Sequence, residues 1–316
     1  MYRVGIDLGG TNIKVGIVDE NQKIIAIASS PTMGKRSANE VIKDMANLVK
    51  SLIKKAEINS NDISGVGIGC PGTIDTINGI VLYSNNLNWE DVPLIDELHE
   101  LLQYPIRVSN DANCAAIGEV KAGAAKDLKN IVMLTLGTGV GSGIILDGKI
   151  FEGGHPGGAE LGHTILVKDG RECTCGRKGC LEAYASATAL IQTTKEMVRK
   201  HKNSLILKFC KGDLEKIDGK MVFDAFEQED EVAVKIIDDY ISYLGEGIVD
   251  IINVFRPDRI LLSGGICNQG KTLTNPLDAY VKKYCFAGEK AMIPNVTKAS
   301  LLNNAGIIGA AALLEM

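Results

Sequence analysis

Val4-Gly5-Ile6-Asp7-Leu8-Gly9-Gly10-Thr11-Asn12-Ile13-Lys14-Val15-Gly16-Ile17-Val18-Asp19 returns later in the chain as Val132-Met133-Leu134-Thr135-Leu136-Gly137-Thr138-Gly139-Val140-Gly141-Ser142-Gly143-Ile144-Ile145-Leu146-Asp147. Aligned without a gap, Val4/Val132, Leu8/Leu136, Gly9/Gly137, Ile17/Ile145 and Asp19/Asp147 coincide. Each copy reads as an apolar strand, a tight glycine turn and a second apolar strand, which is a β-hairpin with a small-residue tip. Glycine at the tip permits a positive φ and lets backbone N–H groups approach an anion closely. Two such grips point to two related lobes closing on one nucleotide. Two unrelated structural hairpins are the alternative, since glycine turns are common.

A chain of 316 residues exceeds the size at which one core keeps growing, so two lobes are expected. Apolar residues at 45% and charged residues at 23% describe an ordinary globular protein. A net charge of −5 offers no basic face, which argues against a nucleic-acid partner. The longest apolar candidate, 131–146, is broken by glycine, threonine and serine, so no membrane span is expected. Asp7 falls where a signal peptide would need its apolar stretch, and a cytoplasmic location follows as an expectation. In a reducing compartment the cluster Cys173, Cys175 and Cys180 reads as a metal site rather than a disulfide. Cys70, Cys114, Cys210, Cys267 and Cys285 are scattered and read as small buried hydrophobes.

Alternation predicts strands at 2–8, 12–19 and 22–29, then a polar stretch from Pro31 to Ala38. Val41, Met45, Leu48, Leu52 and Ile53 share one helical face over 39–57. Strand 63–69, a strand near 79–83, a helix near 93–103 and strand 105–109 follow, and Asn110-Asp111 opens a helix to about 122. The second half predicts strands 130–136, 140–147 and 163–167, helices near 181–201, 205–211, 221–227 and 230–254, strand 258–262 and a helix near 273–285. The boundary falls near 118–128. It separates an N-terminal α/β lobe, 1–120, completed by a C-terminal helix over 304–316, from a C-terminal α/β lobe, 121–303, with a zinc loop at 163–182.

Three groups carry chemistry. At the first hairpin tip, Asp7 can hold Mg²⁺ directly or through water, while Thr11 and Lys14 can reach phosphate oxygens. A strand-terminal Asp capping its own turn is the plain alternative. No Walker loop is present. Asp111, an N-cap or first-turn acid, ends a strand where a carboxylate can take a proton from a substrate hydroxyl. Cys173, Cys175, Cys180 and an upstream histidine make a Cys₃His set suited to tetrahedral, structural Zn²⁺, with Gly176 and Gly179 folding the loop back. A cluster of free thiols is the rival. Glu160 and Glu182 suit polyol recognition, or are solvated surface acids. Trp89, the single tryptophan, reads as either a core anchor or a reporter of sugar binding.

Asp7-Leu8-Gly9-Gly10-Thr11, Thr135-Leu136-Gly137-Thr138-Gly139-Val140-Gly141, Glu160-x-Gly-His163 and Cys173-x-Cys-Gly-x-x-Gly-Cys180-x-Glu182, with the terminal Ala305-Gly306-Ile307-Ile308-Gly309-Ala310, together resemble the ROK family of sugar kinases and repressors. The resemblance implies two actin-like, ribonuclease H-like α/β lobes with ATP and a hexose in the cleft. By motif position, Asp111 resembles the catalytic base, and Asn86, Asn110, Glu160, His163 and Glu182 resemble sugar ligands. Gly10, Thr11, Thr138 and Gly139 resemble phosphate ligands, beside Asp7, Gly9, Lys14 and Gly137. Gly264-Gly265 resembles the contact near the nucleoside. His163, Cys173, Cys175 and Cys180 resemble the zinc ligands. Ala159 departs from the glycine usual before the first glutamate.

The family's repressors carry an added N-terminal winged helix, for which a phosphate hairpin starting at residue 4 leaves no room, so a kinase is expected. The expected reaction moves the ATP γ-phosphoryl group to a hexose 6-hydroxyl, with Mg²⁺ near Asp7. Asn86-Leu87-Asn88-Trp89 resembles the Asn-Leu-x-Trp stretch of the family's bacterial glucokinases, which favours glucose over N-acetylglucosamine or N-acetylmannosamine. Polyphosphate remains open as a donor. A dimer or tetramer is the implied assembly.

Overall fold

The computed structural model describes residues 1–33 and 36–316; Gly34 and Lys35, inside the polar stretch before the first helix, lie outside the described residues. The first half runs β1 (Tyr2–Leu8), β2 (Asn12–Val18), β3 (Ile24–Pro31), α1 (Ala38–Lys55), β4 (Ile63–Cys70), β5 (Thr73–Asp75), β6 (Ile80–Ser84), β7 (Trp89–Val92), α2 (Leu94–Leu102), β8 (Ile106–Asn110) and α3 (Asp111–Ala122). The second half runs β9 (Ile131–Leu136), β10 (Val140–Leu146), β11 (Lys149–Ile150), α4 (Glu182–Ala185), α5 (Ala187–Lys200), α6 (Leu205–Phe209), α7 (Gly219–Phe226), α8 (Glu231–Phe255), β12 (Arg259–Ser263), α9 (Lys271–Tyr284), β13 (Asn295–Lys298) and α10 (Ala305–Ala312).

The class is mixed α/β, as expected. One five-stranded sheet has the order β3-β2-β1-β4-β8 and the other β11-β10-β9-β12-β13, so each hairpin sits at the same place in its sheet. The repeat in sequence is therefore a repeat in topology. β1 and β2 are antiparallel, whereas β1/β4, β4/β8 and β12/β13 are parallel. A small sheet, β5-β6-β7, completes the strands.

Contacts divide the chain into two compact units. The first comprises Met1–Ile131, Gly143–Ala159 and Ala299–Met316, and the second Val132–Ser142 and Glu160–Lys298. In the first, Val4, Ile6 and Leu8 of β1 pack with Val41, Ile42, Met45 and Val49 of α1, all at most 1% exposed. Burying each such side chain stabilises by about 1.5–3 kcal/mol before chain entropy is counted. The alternate residue Gly5 faces the other way. A Cβ there would strike the Ile307 carbonyl, and one on Gly67 would strike that of Ala310, so α10 lies directly against the strands. Trp89, 3% exposed, is a core anchor of this unit.

In the second unit the 25-residue α8 packs against α4, α5, α7 and α9, and Tyr240 donates to the Ala185 carbonyl at 2.8 Å. Two expectations change here. Residues 163–167 form no strand; Ile165 makes a single bridge to Cys180, because the surrounding N–H groups turn to the Gly179 carbonyl instead. The helix expected over 181–201 breaks at Ser186, whose hydroxyl accepts from Ala189 N–H and starts α5 anew. Among the described residues no helix is long and apolar enough to cross a membrane.

Candidate functional site

At the first hairpin, β1 and β2 pair Asp7 with Lys14 and Leu8 with Ile13, and Gly9 N–H donates to Asn12 O across the tip at 2.9 Å. Lys14 Nζ lies 3.4 Å from Asp7 Oδ2. Burial pushes the Asp7 carboxyl above its ordinary range, and Lys14 opposes that shift. A cation beside Asp7 would act in the same direction as Lys14. Thr11 is exposed at the tip, and Gly10 packs against the Asn86 backbone.

The second tip closes through Gly137 N–H to Gly139 O at 3.0 Å, leaving Thr138 exposed. None of Gly9, Gly10, Gly137 and Gly139 uses the positive φ that glycine permits. At 139 the approach is close: a Cβ would displace Glu182 Oε2. That oxygen accepts from Val140 N–H at 3.0 Å, while Glu182 Oε1 accepts from Thr174 Oγ1 at 2.9 Å and Cys173 Sγ at 3.4 Å. Glu182 thus joins the hairpin to the cysteine loop, with lone pairs left for a further donor. Gly264, at φ 105, packs against the Leu136 backbone, and Gly265 follows it.

Asn110 is the N-cap of α3, and Asp111 is its first-turn acid. The Asn110 side-chain oxygen accepts from Ala112 N–H at 2.8 Å and Asn113 N–H at 3.3 Å, and its amide donates to Gly72 O at 3.1 Å. Asp111 Oδ1 accepts from Ala112 N–H at 2.9 Å. The capped helix start orients this carboxylate and stabilises its charge. The exposed Asn86 lies in the turn between β6 and β7.

His163, Cys173, Cys175 and Cys180 bring one donor atom each to within 4.8 Å of one another. Cys173 Sγ is 3.7 Å from His163 Nδ1, and Cys175 Sγ is 3.7 Å from Cys180 Sγ. A tetrahedral zinc with Zn–S bonds of about 2.3 Å needs sulfur–sulfur edges of about 3.8 Å. The donor set therefore fits zinc in both chemistry and spacing. Gly176 and Gly179, at φ 85 and 86, fold the loop back as expected. Burial pushes the Cys173 thiol up to about 12 and raises Cys180, while the Arg177 backbone hydrogen bond lowers Cys175. Zinc binding would displace those protons.

Glu160 begins the turn that carries His163, whose N–H donates to Glu160 O at 3.1 Å. The residue is exposed overall, yet its carboxyl sits in a partly desolvated spot. Desolvation raises its proton affinity, His163 opposes the rise, and Glu182 adds to it. Ala159, just before it, adopts φ 64, a left-handed conformation natural to the glycine it replaces.

The first unit thus holds Asp7, Gly9, Gly10, Thr11, Lys14, Asn86, Asn110 and Asp111, and the second holds Gly137, Thr138, Gly139, Glu160, Glu182, Gly264, Gly265 and the metal set. Sequence reasoning missed two carboxylates. Glu152 accepts from Ser109, Asn113 and Thr76 beside Asp111, and the fully buried Glu119 accepts from Ala124, Ser300 and Leu301. Neither belongs to a motif, and only the tertiary contacts reveal them.

A glucokinase of Thermotoga maritima is 37% identical over 99% of this chain and 96% of its own length. The crystal structure of a ROK family glucokinase from Streptomyces griseus, in complex with glucose and AMPPNP, superposes with a TM-score of 0.84 at 32% identity, covering 99% of both chains. A xylose repressor of Caldicellulosiruptor bescii is more distant, at 26% identity over 98% of this chain and 77% of its own length. The ROK family model matches residues 3–316, and the chain is a member of the ROK family.

Proposed function

We propose that this chain is an ATP-dependent glucokinase that phosphorylates glucose at its 6-hydroxyl. The observation that carries the reading is Asp111, held at the start of a capped helix in a chain with end-to-end similarity to glucokinases. Asp111 accepts the proton of the attacking hydroxyl as its oxygen bonds to the γ-phosphorus, and the bond from that phosphorus to the β,γ-bridging oxygen breaks to release ADP. Asn86, Asn110, Glu160, His163 and Glu182 orient the sugar hydroxyls. Gly9, Gly10, Thr11 and Lys14, with Gly137, Thr138 and Gly139, hold the phosphates, and Gly264-Gly265 lies near the nucleoside. Mg²⁺ near Asp7 supplies charge neutralisation for the phosphates. Zinc on His163, Cys173, Cys175 and Cys180 is structural, since four protein donors leave no open position.

The location we assign is cytoplasmic, a reducing compartment in which Cys173, Cys175 and Cys180 stay available as thiolate ligands. The assembly is a homo-oligomer, a dimer or tetramer. A phosphorylation assay across glucose, N-acetylglucosamine, N-acetylmannosamine, mannose and fructose, with ATP and polyphosphate as donors, tests the reading. Glucose with ATP should give the highest kcat/KM; preference for an N-acetylhexosamine reassigns the substrate. Asp111→Asn should lower kcat roughly 10²- to 10⁴-fold, and near-normal turnover would remove Asp111 from the role.

A further inference from the structure

Glu152 lies in the loop after β11 and belongs to none of the motifs above. Its Oε1 accepts two hydrogen bonds, from Ser109 Oγ at 3.1 Å and from Asn113 Nδ2 at 3.0 Å. Its Oε2 accepts from Thr76 Oγ1 at 3.3 Å, just beyond β5. Ser109 stands two residues before Asp111, next to the end of strand β8, and Asn113 stands two residues after it in the first turn of α3. Both are buried, at 3% and 5% exposure, and Asn113 Nδ2 also reaches Ser109 Oγ at 3.4 Å. One carboxylate oxygen therefore spans the strand-to-helix junction that presents Asp111.

We propose that Glu152 is a positioning residue: it fixes the β8–α3 junction, and with it the placement of Asp111. The inference rests on Asp111 being the base. Three hydrogen bonds to a carboxylate are charge-assisted and stronger than neutral ones. Asn110 fastens the same junction to Gly72 at 3.1 Å, so the segment is held from both flanks. Such support matters because a displacement of about 1 Å at a reacting group costs on the order of 10² in rate. The loop bearing Glu152 is itself compact, for a Cβ on Gly158 would strike the Glu152 carbonyl.

The test compares Glu152→Ala with Glu152→Gln. Glutamine keeps an oxygen for Ser109 and Asn113, and its amide can donate to the Thr76 hydroxyl. The alanine variant should lose roughly 10- to 100-fold in kcat per folded molecule, with KM for ATP changed by less than about 3-fold, as for an interaction felt only in the transition state. The glutamine variant should recover most of that loss. Hydrogen exchange in a peptide covering residues 109–116 should quicken in the alanine variant and not in the glutamine one. Wild-type kcat in Glu152→Ala, or equal losses in both variants, would overturn the proposal. If Glu152→Ala does not fold, Asn113→Ala should lower kcat several-fold, and an unchanged kcat there is equally decisive. Asp111→Asn, run in parallel, separates the two ideas. Low turnover in Asp111→Asn beside normal turnover in Glu152→Ala removes Glu152 alone. Normal turnover in Asp111→Asn removes the base, and the positioning role with it.

Discussion

Ala159 and Glu160 are adjacent and carry opposite kinds of strain. Ala159 holds a left-handed φ of 64, which costs an L-residue about 1–2 kcal/mol. Glycine would relieve this, though it frees the unfolded chain, so Ala159→Gly should stabilise by about 0.5–1 kcal/mol net. Thermal melting should read this as a rise of about 1–3 °C. Glu160 has its proton affinity raised chiefly by desolvation. The folded chain then binds that proton more tightly than the unfolded one, so stability falls as pH rises through the raised titration. Above that titration the ionised carboxyl is a cost, and there Glu160→Gln should melt higher while binding glucose more weakly. In the wild type, KM for glucose should climb on acidification from above the ordinary carboxylate range, and the glutamine variant should lack that limb. A KM that is flat with pH in both would end the assignment of Glu160 to the sugar. The sequence alone names Ala159 as a departure, but only the backbone says why it matters. Glu152 illustrates the opposite case. It is a lone acid among glycines, and its partners at 76, 109 and 113 are brought to it only by the fold.

At the scale of elements, long periodic segments were legible and short ones were not. The face of Val41, Met45, Leu52 and Ile53 is the buried side of α1, and the doubled hairpin supplies the second and third strands of both five-stranded sheets. β5, β7, β11 and β13 have two to four residues each, too few for an alternation to register. The loop from Leu161 to Cys180 looked partly like a strand because its apolar residues cluster. Its hydrogen bonds instead serve the turns that gather the four metal donors. Cys175→Ser should therefore lose stoichiometric zinc by elemental analysis, and melting temperature with it. Glu182 accepts from Thr174 of that loop and from Val140 of the hairpin, so glucose affinity should fall in the same variant. Full zinc retention would show that the ligand set is wrong.

At the scale of the molecule, the first unit is discontinuous, and Glu119 is where its last segment is secured. This carboxylate, with no exposed surface, accepts from Ala124 N–H at 2.7 Å, Ser300 N–H at 3.1 Å, Ser300 Oγ at 3.2 Å and Leu301 N–H at 2.7 Å. Glu119→Ala leaves these donors without their acceptor and should cost about 1–3 kcal/mol in denaturant unfolding. An acid inside a helix reads as a surface residue in sequence, so nothing there announced this clamp. The interruption also shapes how the protein comes into being. On the ribosome, residues 1–131 emerge well before Ala299–Met316, whose α10 covers β1 and β4. At about 5–20 residues per second the wait is roughly 8–37 s. Through that interval the nascent strands stand without their covering helix, the period in which a chaperone would find an apolar face to hold.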